Sequence, residues 1–273
     1  CPRHCGRRST VGRWAAADPK VKNIPICTAE GIRIREAFVP AVDHVMLSAD
    51  YSQVELRILA HFSGDRSLLD AFQKGEDIHR RTAAEVAGIS VDEVDEDQRA
   101  RAKAVNFGII YGSSAFGLAN NLGIATADAQ AIVDAYFERY TGVRRFLDET
   151  VKGAKAIGHV TTLLGRRRYF PDLASKNRVL RKAAERMAVN TVIQGTAADL
   201  IKKAMVAVDR ELAKSGLDVI MTLQVHDELV FEVPEAEVDA LSTLVREEME
   251  GVFALEVPLV VDIGYGANWR VAH

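Results

Sequence analysis

Four side chains at four-residue spacing, Arg99, Lys103, Phe107 and Tyr111, could hold a nucleotide. On an α-helix each step of four is about 400°, so successive side chains drift only about 40° around the axis. One face then presents two cations, an aromatic ring and a phenol, and most intervening positions are Ala, Val or Ile, suited to packing. Lys and Arg at this spacing often do no more than solvate an exposed face. Solvation leaves the change from charge to flat rings unexplained. A nucleoside triphosphate has the same polarity: cations hold phosphate oxygens, and a ring supports a base by stacking. Two carboxylates make a second set. Asp50 ends the apolar run 44–49, and Asp227 interrupts two β-rich runs, 219–225 and 229–233. A charge in such a place is expensive unless neutralised, although a lone Asp there is commonly a cap or turn residue.

The elements that must position these groups are legible in outline. Residues 44–49 read as a buried strand that delivers Asp50 at its end. Val54, Leu56, Ile58, Leu59 and Phe62 mark an amphipathic helix over 52–62, closed by Gly64-Asp65. Asp77-Ile78-His79 opens a further helix that Gly88 ends, and the acidic run 92–97 suits the positive N-terminus of the Arg99 helix. Helices are expected over 127–140 and 143–157, with a short strand or turn over 158–164 before Arg166, Arg167 and Arg168. A long helix over 178–209 is expected to break near Gly195. The runs around His226-Asp227-Glu228 read as two strands joined by a tight turn, followed by a helix over 236–253 and a strand over 257–263. Strands thus flank a long helical middle, an α+β arrangement. No internal repeat or low-complexity tract interrupts it.

Arg99-x3-Lys103-x3-Phe107-x3-Tyr111-Gly112 resembles the fingers-helix motif of family A DNA polymerases, the bacterial DNA polymerase I group. Asp50-Tyr51-Ser52-Gln53-Val54-Glu55-Leu56-Arg57 and Gln224-Val225-His226-Asp227-Glu228 are similar to two further motifs of that family, in the same order. The similarity runs from about Asp18 to the end. It implies a palm domain with an antiparallel sheet, 1–70 and 181–273 (with 1–17 poorly matched), interrupted by mostly helical fingers, 71–180. It also implies template-directed nucleotidyl transfer from a dNTP to a primer 3′-hydroxyl, with two Mg²⁺ ions. Magnesium takes a few carboxylates and completes its octahedron with waters and phosphate oxygens. The resemblance gives Asp50 and Asp227 as the metal-bridging pair, the Tyr51 carbonyl as a further ligand and Glu228 as a supporting catalytic carboxylate. It assigns the triphosphate to Arg99, Lys103 and His79, the sugar and base to Phe107, and the template side of the new pair to Tyr111. Glu55, an exposed helix residue by sequence alone, would block a 2′-hydroxyl, with Gln53 lining the same pocket. Phenylalanine at 107 implies rejection of dideoxynucleotides.

Arg186, Asn190 and Gln194, again four residues apart, would contact DNA at phosphates, sugars or minor-groove acceptors. Without the resemblance they read as a solvated stripe. His226 is similar to a residue near the primer terminus, and Arg13 stands where the family has a primer-contacting arginine. Trp14-Ala15-Ala16 follow it in place of the family's Leu-Ser-Ser, and Lys22 replaces a usual Gln. Arg166 to Arg168 are expected to serve template or structural contacts.

Composition sets wider bounds. The 273 residues, 48% hydrophobic, can bury a sizeable core. The net charge of −3 does not advertise nucleic-acid binding, but charge is segregated: acid at 92–97, base at 166–168, 176–182 and 202–203. Cys1, Cys5 and Cys27 form no Cys-x2-Cys pair, and Cys1-Pro-Arg-His4-Cys5 lacks a second half of a zinc site. No apolar run approaches a membrane span and no signal-peptide pattern opens the chain, so the expected setting is the cytoplasm, at the nucleoid. The expected partners are primed template DNA and dNTPs, with the chain a monomer and, since it opens with Cys, a piece of a longer polypeptide. The family's thumb and nuclease domains have no room here, which implies weak duplex binding. Two other classes remain: a non-catalytic DNA-binding remnant, and a metal-dependent nuclease that paired carboxylates alone would also fit.

Overall fold

In the computed structural model, which describes residues 7–8, 12, 14–15, 24 and 29–273, the chain divides into two compact units. One comprises residues 1–54, 197–254 and 259–273, and the other residues 55–196 and 255–258.

The first unit is built on strand β3 (His44–Tyr51), after short strands β1 (Arg7–Arg8) and β2 (Trp14–Ala15) and helix α1 (Ala29–Glu36). Its Met46 to Ala49 stretch is buried, as an apolar run facing packed elements should be. The two later β-rich runs form β6 (Ile220–Val225) and β7 (Glu228–Pro234), and β8 (Val261–Gly266) completes the sheet in the order β6-β7-β3-β8. Every pairing is antiparallel, in agreement with the α+β palm-like sheet expected from sequence. Helix α10 (Val238–Glu250) buries Val238, Leu241, Val245 and Met249. The core on the other side gathers Met46, Leu223, Val225, Val230 and Trp269, the last from the short helix α11 (Trp269–Ala272). The strand expected over 257–263 lies three to four residues later, at 261–266.

The second unit is helical. α2 (Val54–Ser63) follows β3, then α3 (Arg66–Gln73), α4 (Ile78–Ala87), α5 (Glu96–Ile110), α6 (Ala115–Leu122), α7 (Thr126–Arg139) and α8 (Thr141–Ile157). The helix starts carry side-chain caps, and Asp65, read from sequence as closing α2, instead opens α3. Asp65 accepts from Ser67 and Leu68, Asp77 from His79 and Arg80, and Asp95 forms a reciprocal capping box with Gln98. Gly88 and Gly123 end α4 and α6 in the left-handed conformation. A small hairpin, β4 (His159–Thr161) with β5 (Arg167–Tyr169), precedes α9 (Arg178–Ser215).

α9 corrects one expectation: it does not break near Gly195 but runs through 38 residues. The Gly195 carbonyl accepts from Arg166 Nη2 at 2.9 Å, and Thr191, Val192, Ile193, Thr196, Ala197 and Ala198 are all buried. Packing offsets the roughly 1 kcal/mol that glycine costs a helix. The compact units divide inside α2 and inside α9, whereas the palm and fingers boundaries implied by resemblance lie at 70 and 180.

Candidate functional site

The carboxylates of the first unit are placed by strand register. Asp50 stands opposite Glu228 of β7 on one side and Asp262 of β8 on the other. β6 and β7 are joined by only His226 and Asp227, and the turn forces His226 to φ 52°, a left-handed conformation unusual for a residue with a Cβ. Two contacts pin that turn. The Gln224 side-chain amide donates to the His226 carbonyl at 2.6 Å, and the Tyr51 amide donates to the Asp227 carbonyl at 3.3 Å. Asp227 is therefore fixed beside the end of β3 by backbone geometry, while the His226 side chain is exposed.

Electrostatics separate Asp50 from Glu228. Burial, then the charges of Asp227 and Glu228, push the Asp50 carboxyl up to about 7. Its Oδ1 is buried without a hydrogen-bond partner. Glu228 is pushed up by its burial as well, but hydrogen bonds from His273, Ser48 and Trp269 outweigh that and hold it below the usual carboxylate range. Its Oε1 accepts from Ser48 Oγ and from Trp269 Nε1, each at 2.7 Å. Glu228 is thus satisfied within the protein, and Asp50 is not. An open recess of about 360 Å³ lies beside Asp50, lined among others by Ser48, Asp262 and His273. Among the described residues no three His, Cys, Asp or Glu side chains are grouped to hold a metal by themselves. A Mg²⁺ ion does not need three, since waters and phosphate oxygens complete its shell. An orphaned carboxylate oxygen next to a second acid fits such an ion. Tyr51 itself is buried, with its hydroxyl donating to the Met249 carbonyl at 2.6 Å, so only its backbone can serve as a ligand.

In the second unit α5 carries the stripe. Lys103 is exposed, whereas Arg99 is half-buried and its Nε donates to Asp77 Oδ2 at 2.7 Å. Asp77 thereby caps α4 with one oxygen and holds a cation of α5 with the other. His79 is 2% exposed. Burial, followed by the charges of Lys103 and Arg99, lowers its pKa to about 4 against the opposing pull of Asp77. It is neutral at pH 7. Asn106, buried and missed from sequence, sets its Nδ2 3.1 Å from His79 Nδ1 and its amide against Thr82. With Nδ1 accepting from Asn106, the imidazole proton sits on Nε2. An Asn among apolar neighbours on the buried face of a helix was the available signal. The Phe107 and Tyr111 rings lie 6.1 Å apart and nearly parallel, with His79 6.0 Å from Phe107.

Glu55 is the clear correction. It reads as exposed from sequence but is only 8% exposed, and Tyr111 Oη donates to its Oε2 at 3.0 Å. Gln53 takes a left-handed φ of 54° just before α2. On α9, Arg186 is exposed, whereas Asn190 and Gln194 are half-buried. Asn190 Nδ2 reaches the Tyr111 carbonyl at 3.5 Å, and its Oδ1 is buried without a partner. The Arg186 stem lies so close to Gly112, the left-handed residue after Tyr111, that a Cβ there would meet it at 2.9 Å. Arg166 and Arg168 turn onto α9, through Gly195 and through Thr191 at 2.8 Å, while Arg167 is exposed. Arg13, Lys22, Cys1, Cys5 and Cys27 lie outside the described residues.

Comparison with known proteins adds an independent line. A family model described as DNA polymerase family A matches residues 6–271, so the match extends further toward the N-terminus than Asp18. The chain is 54% identical over 265 residues to DNA polymerase I of Pseudomonas aeruginosa, covering 97% of this chain and 29% of that protein. It is 50% identical over 260 residues to DNA polymerase I of Bacillus subtilis, covering 95% and 30%. Among solved structures, the POL domain of Pol1 from M. smegmatis, in complex with DNA primer-template and dNTP, superposes with a TM-score of 0.94 at 47% identity. That match covers 97% of this chain and 47% of the other. The chain therefore spans about 30% of the length of the curated relatives it matches.

Proposed function

The chain belongs to DNA polymerase family A, and from that premise we propose that it carries the nucleotidyl-transfer centre of a DNA-directed DNA polymerase. Its substrates are primed template DNA and dNTPs, and it acts as a monomer on the nucleoid in the cytoplasm. Residues 1–70 and 181–273 serve as palm and 71–180 as fingers. The observation that carries this reading is Asp50: a buried, unpartnered carboxylate oxygen beside Asp227, on a strand end whose neighbours are fixed by register.

Asp50, Asp227 and the Tyr51 carbonyl would hold two Mg²⁺ ions. Such ions, when bound, acidify a primer 3′-hydroxyl and neutralise the leaving pyrophosphate. The residues of the chain do the rest. Lys103 and Arg99 bind triphosphate oxygens as cations. His79, neutral and with its proton on Nε2, donates a hydrogen bond to the same group without adding charge. Phe107 lies against sugar and base, and Tyr111 guards the template side. Glu55, anchored by Tyr111, excludes a 2′-hydroxyl, and Gln53 serves the same nucleotide. Arg186, Asn190, Gln194, His226 and Arg13 contact DNA. Glu228 supports the metal pair from within the protein.

The test is a single assay: purified chain, primed template, Mg²⁺ and one labelled dNTP. Addition of one nucleotide, only when it complements the template, is the expected result. A shifted primer that is never extended would make the chain a binding remnant, and a shortened primer would make it a nuclease.

A further inference from the structure

Glu228 is held by more of the protein than a supporting carboxylate needs. It is 3% exposed, and its Oε1 receives Ser48 Oγ and Trp269 Nε1, both at 2.7 Å, with His273 Nδ1 3.5 Å away. Trp269 is itself fully buried and clamped. Its backbone amide donates to the Phe38 carbonyl at 3.0 Å, and the Phe38 ring meets its edge at a centroid distance of 5.3 Å. The guanidinium of Arg35, 3% exposed, lies 4.1 Å above the indole, with Nε and Nη1 unpartnered. A buried cation stacked on the donor of a buried anion favours that anion staying charged and staying where it is. Yet Glu228 follows Asp227 in sequence and faces Asp50 in register, within reach of any cation those two share.

We propose that Trp269, with Ser48, is a positioning residue that locks Glu228 inward, keeping a third carboxylate from joining Asp50 and Asp227 around a cation. The lock makes the site poor in protein oxygens. Magnesium tolerates such a site because it keeps several waters, whereas calcium takes six to eight oxygens and gains from each added carboxylate. The Trp269 N–H therefore sets metal preference without touching metal or substrate. This inference rests on the polymerase reading, because it takes Asp50 and Asp227 as the cation-holding pair.

The experiment is calorimetric titration of the whole chain with Ca²⁺ and with Mg²⁺, in the absence of DNA and dNTP. Trp269→Phe keeps an aromatic ring under Arg35, smaller than the indole, and deletes the N–H donor. Expected is a gain in Ca²⁺ affinity on the order of tenfold, the scale on which outer partners tune metal sites, with Mg²⁺ affinity little changed. The gain should vanish when Glu228→Gln is added, because the effect passes through that carboxylate. Unchanged Ca²⁺ affinity in Trp269→Phe, or a gain that persists with Glu228→Gln, overturns the proposal. If Trp269→Phe melts, Ser48→Ala removes the second donor and is read by the same criteria. Asp50→Asn separates the two readings: Ca²⁺ binding that survives it removes the metal pair itself, not the lock alone.

Discussion

Asp50 stores an ionisation cost that the metal-free protein must carry. Its folded pKa of about 7, against an ordinary 3.8, means that the folded state binds more protons than the unfolded chain between those values. Stability then falls as pH rises across that window, and the loss is complete above it. His79 contributes the opposite slope, since its pKa is lowered from 6.5 to about 4 and the unfolded chain is the one that binds more protons there. Comparing one variant with the parent isolates the aspartate. Without metal, Asp50→Asn should be more stable than the parent by a margin that grows from pH 4 to pH 7 and then levels, in urea titrations at each pH. A margin indifferent to pH would contradict the assignment. Phe107 allows a second prediction. On the proposed function, a hydroxyl there would replace a hydrogen bond that an incoming 3′-OH would make, so Phe107→Tyr should raise dideoxynucleotide use by on the order of 10- to 100-fold. Equal dideoxy use by both proteins in primer extension would refute it. Both residues stood out in the sequence, Asp50 at the end of an apolar run and Phe107 by its four-residue spacing, with their roles implied by the motifs. The burial of Glu55 did not, because its partner Tyr111 is distant in sequence and α2 gives no periodic reason to bury an acid.

Among elements, single carboxylates tie helices together. Asp65 caps α3 with one oxygen, and with the other it accepts from the Gly142 amide at 2.8 Å, in the first turn of α8. Gly142 is pressed so close that a Cβ would stand 2.9 Å from the Asp65 Cα. Gly142→Ala should therefore cost about 1–3 kcal/mol, the usual range for overpacking, measured as a lower urea midpoint with an unchanged slope. An unaltered midpoint would show that the α3–α8 junction yields. The cap signal is local chemistry, Asp before an apolar-periodic run, but the sequence reading placed Asp65 at the end of α2 rather than at the start of α3. Thr141-Gly142 reads locally as a break between two helices, and the left-behind clue to its packing was only that a glycine stands there. At Gly195 the same local reasoning fails in the other direction, since burial keeps α9 continuous.

For the molecule as a whole, the net charge is −3, so the proposed DNA binding would rest on local charge, and the proposed metal pair would add a linkage. Any ligand that binds only the folded state stabilises it by mass action. Mg²⁺ at about 100 times its dissociation constant should raise the unfolding free energy by about 2.7 kcal/mol, and chelation should remove that gain without unfolding the chain. Asp50→Asn should show no such gain. Thermal scans with Mg²⁺ and with chelator check both, and an equal response in the two proteins would sink the metal pair.

The sequence by itself determined the elements and their chemistry. The 3.6-residue period fixes which side chains share a helix face, and alternation with turn residues fixes strands, and both act over a few neighbours. Motif resemblance added roles that no periodicity contains. What only the tertiary structure decided are the pairings between distant residues: Asp50 against Glu228 and Asp262 across the sheet, Asp77 on Arg99, Asn106 on His79, Trp269 on Glu228. The physical reason is that strand register and desolvation are set by backbone hydrogen bonds and packing between segments far apart in the chain. A carboxylate's state, orphaned at Asp50 and satisfied at Glu228, is a property of those surroundings, and no local run of residues specifies it.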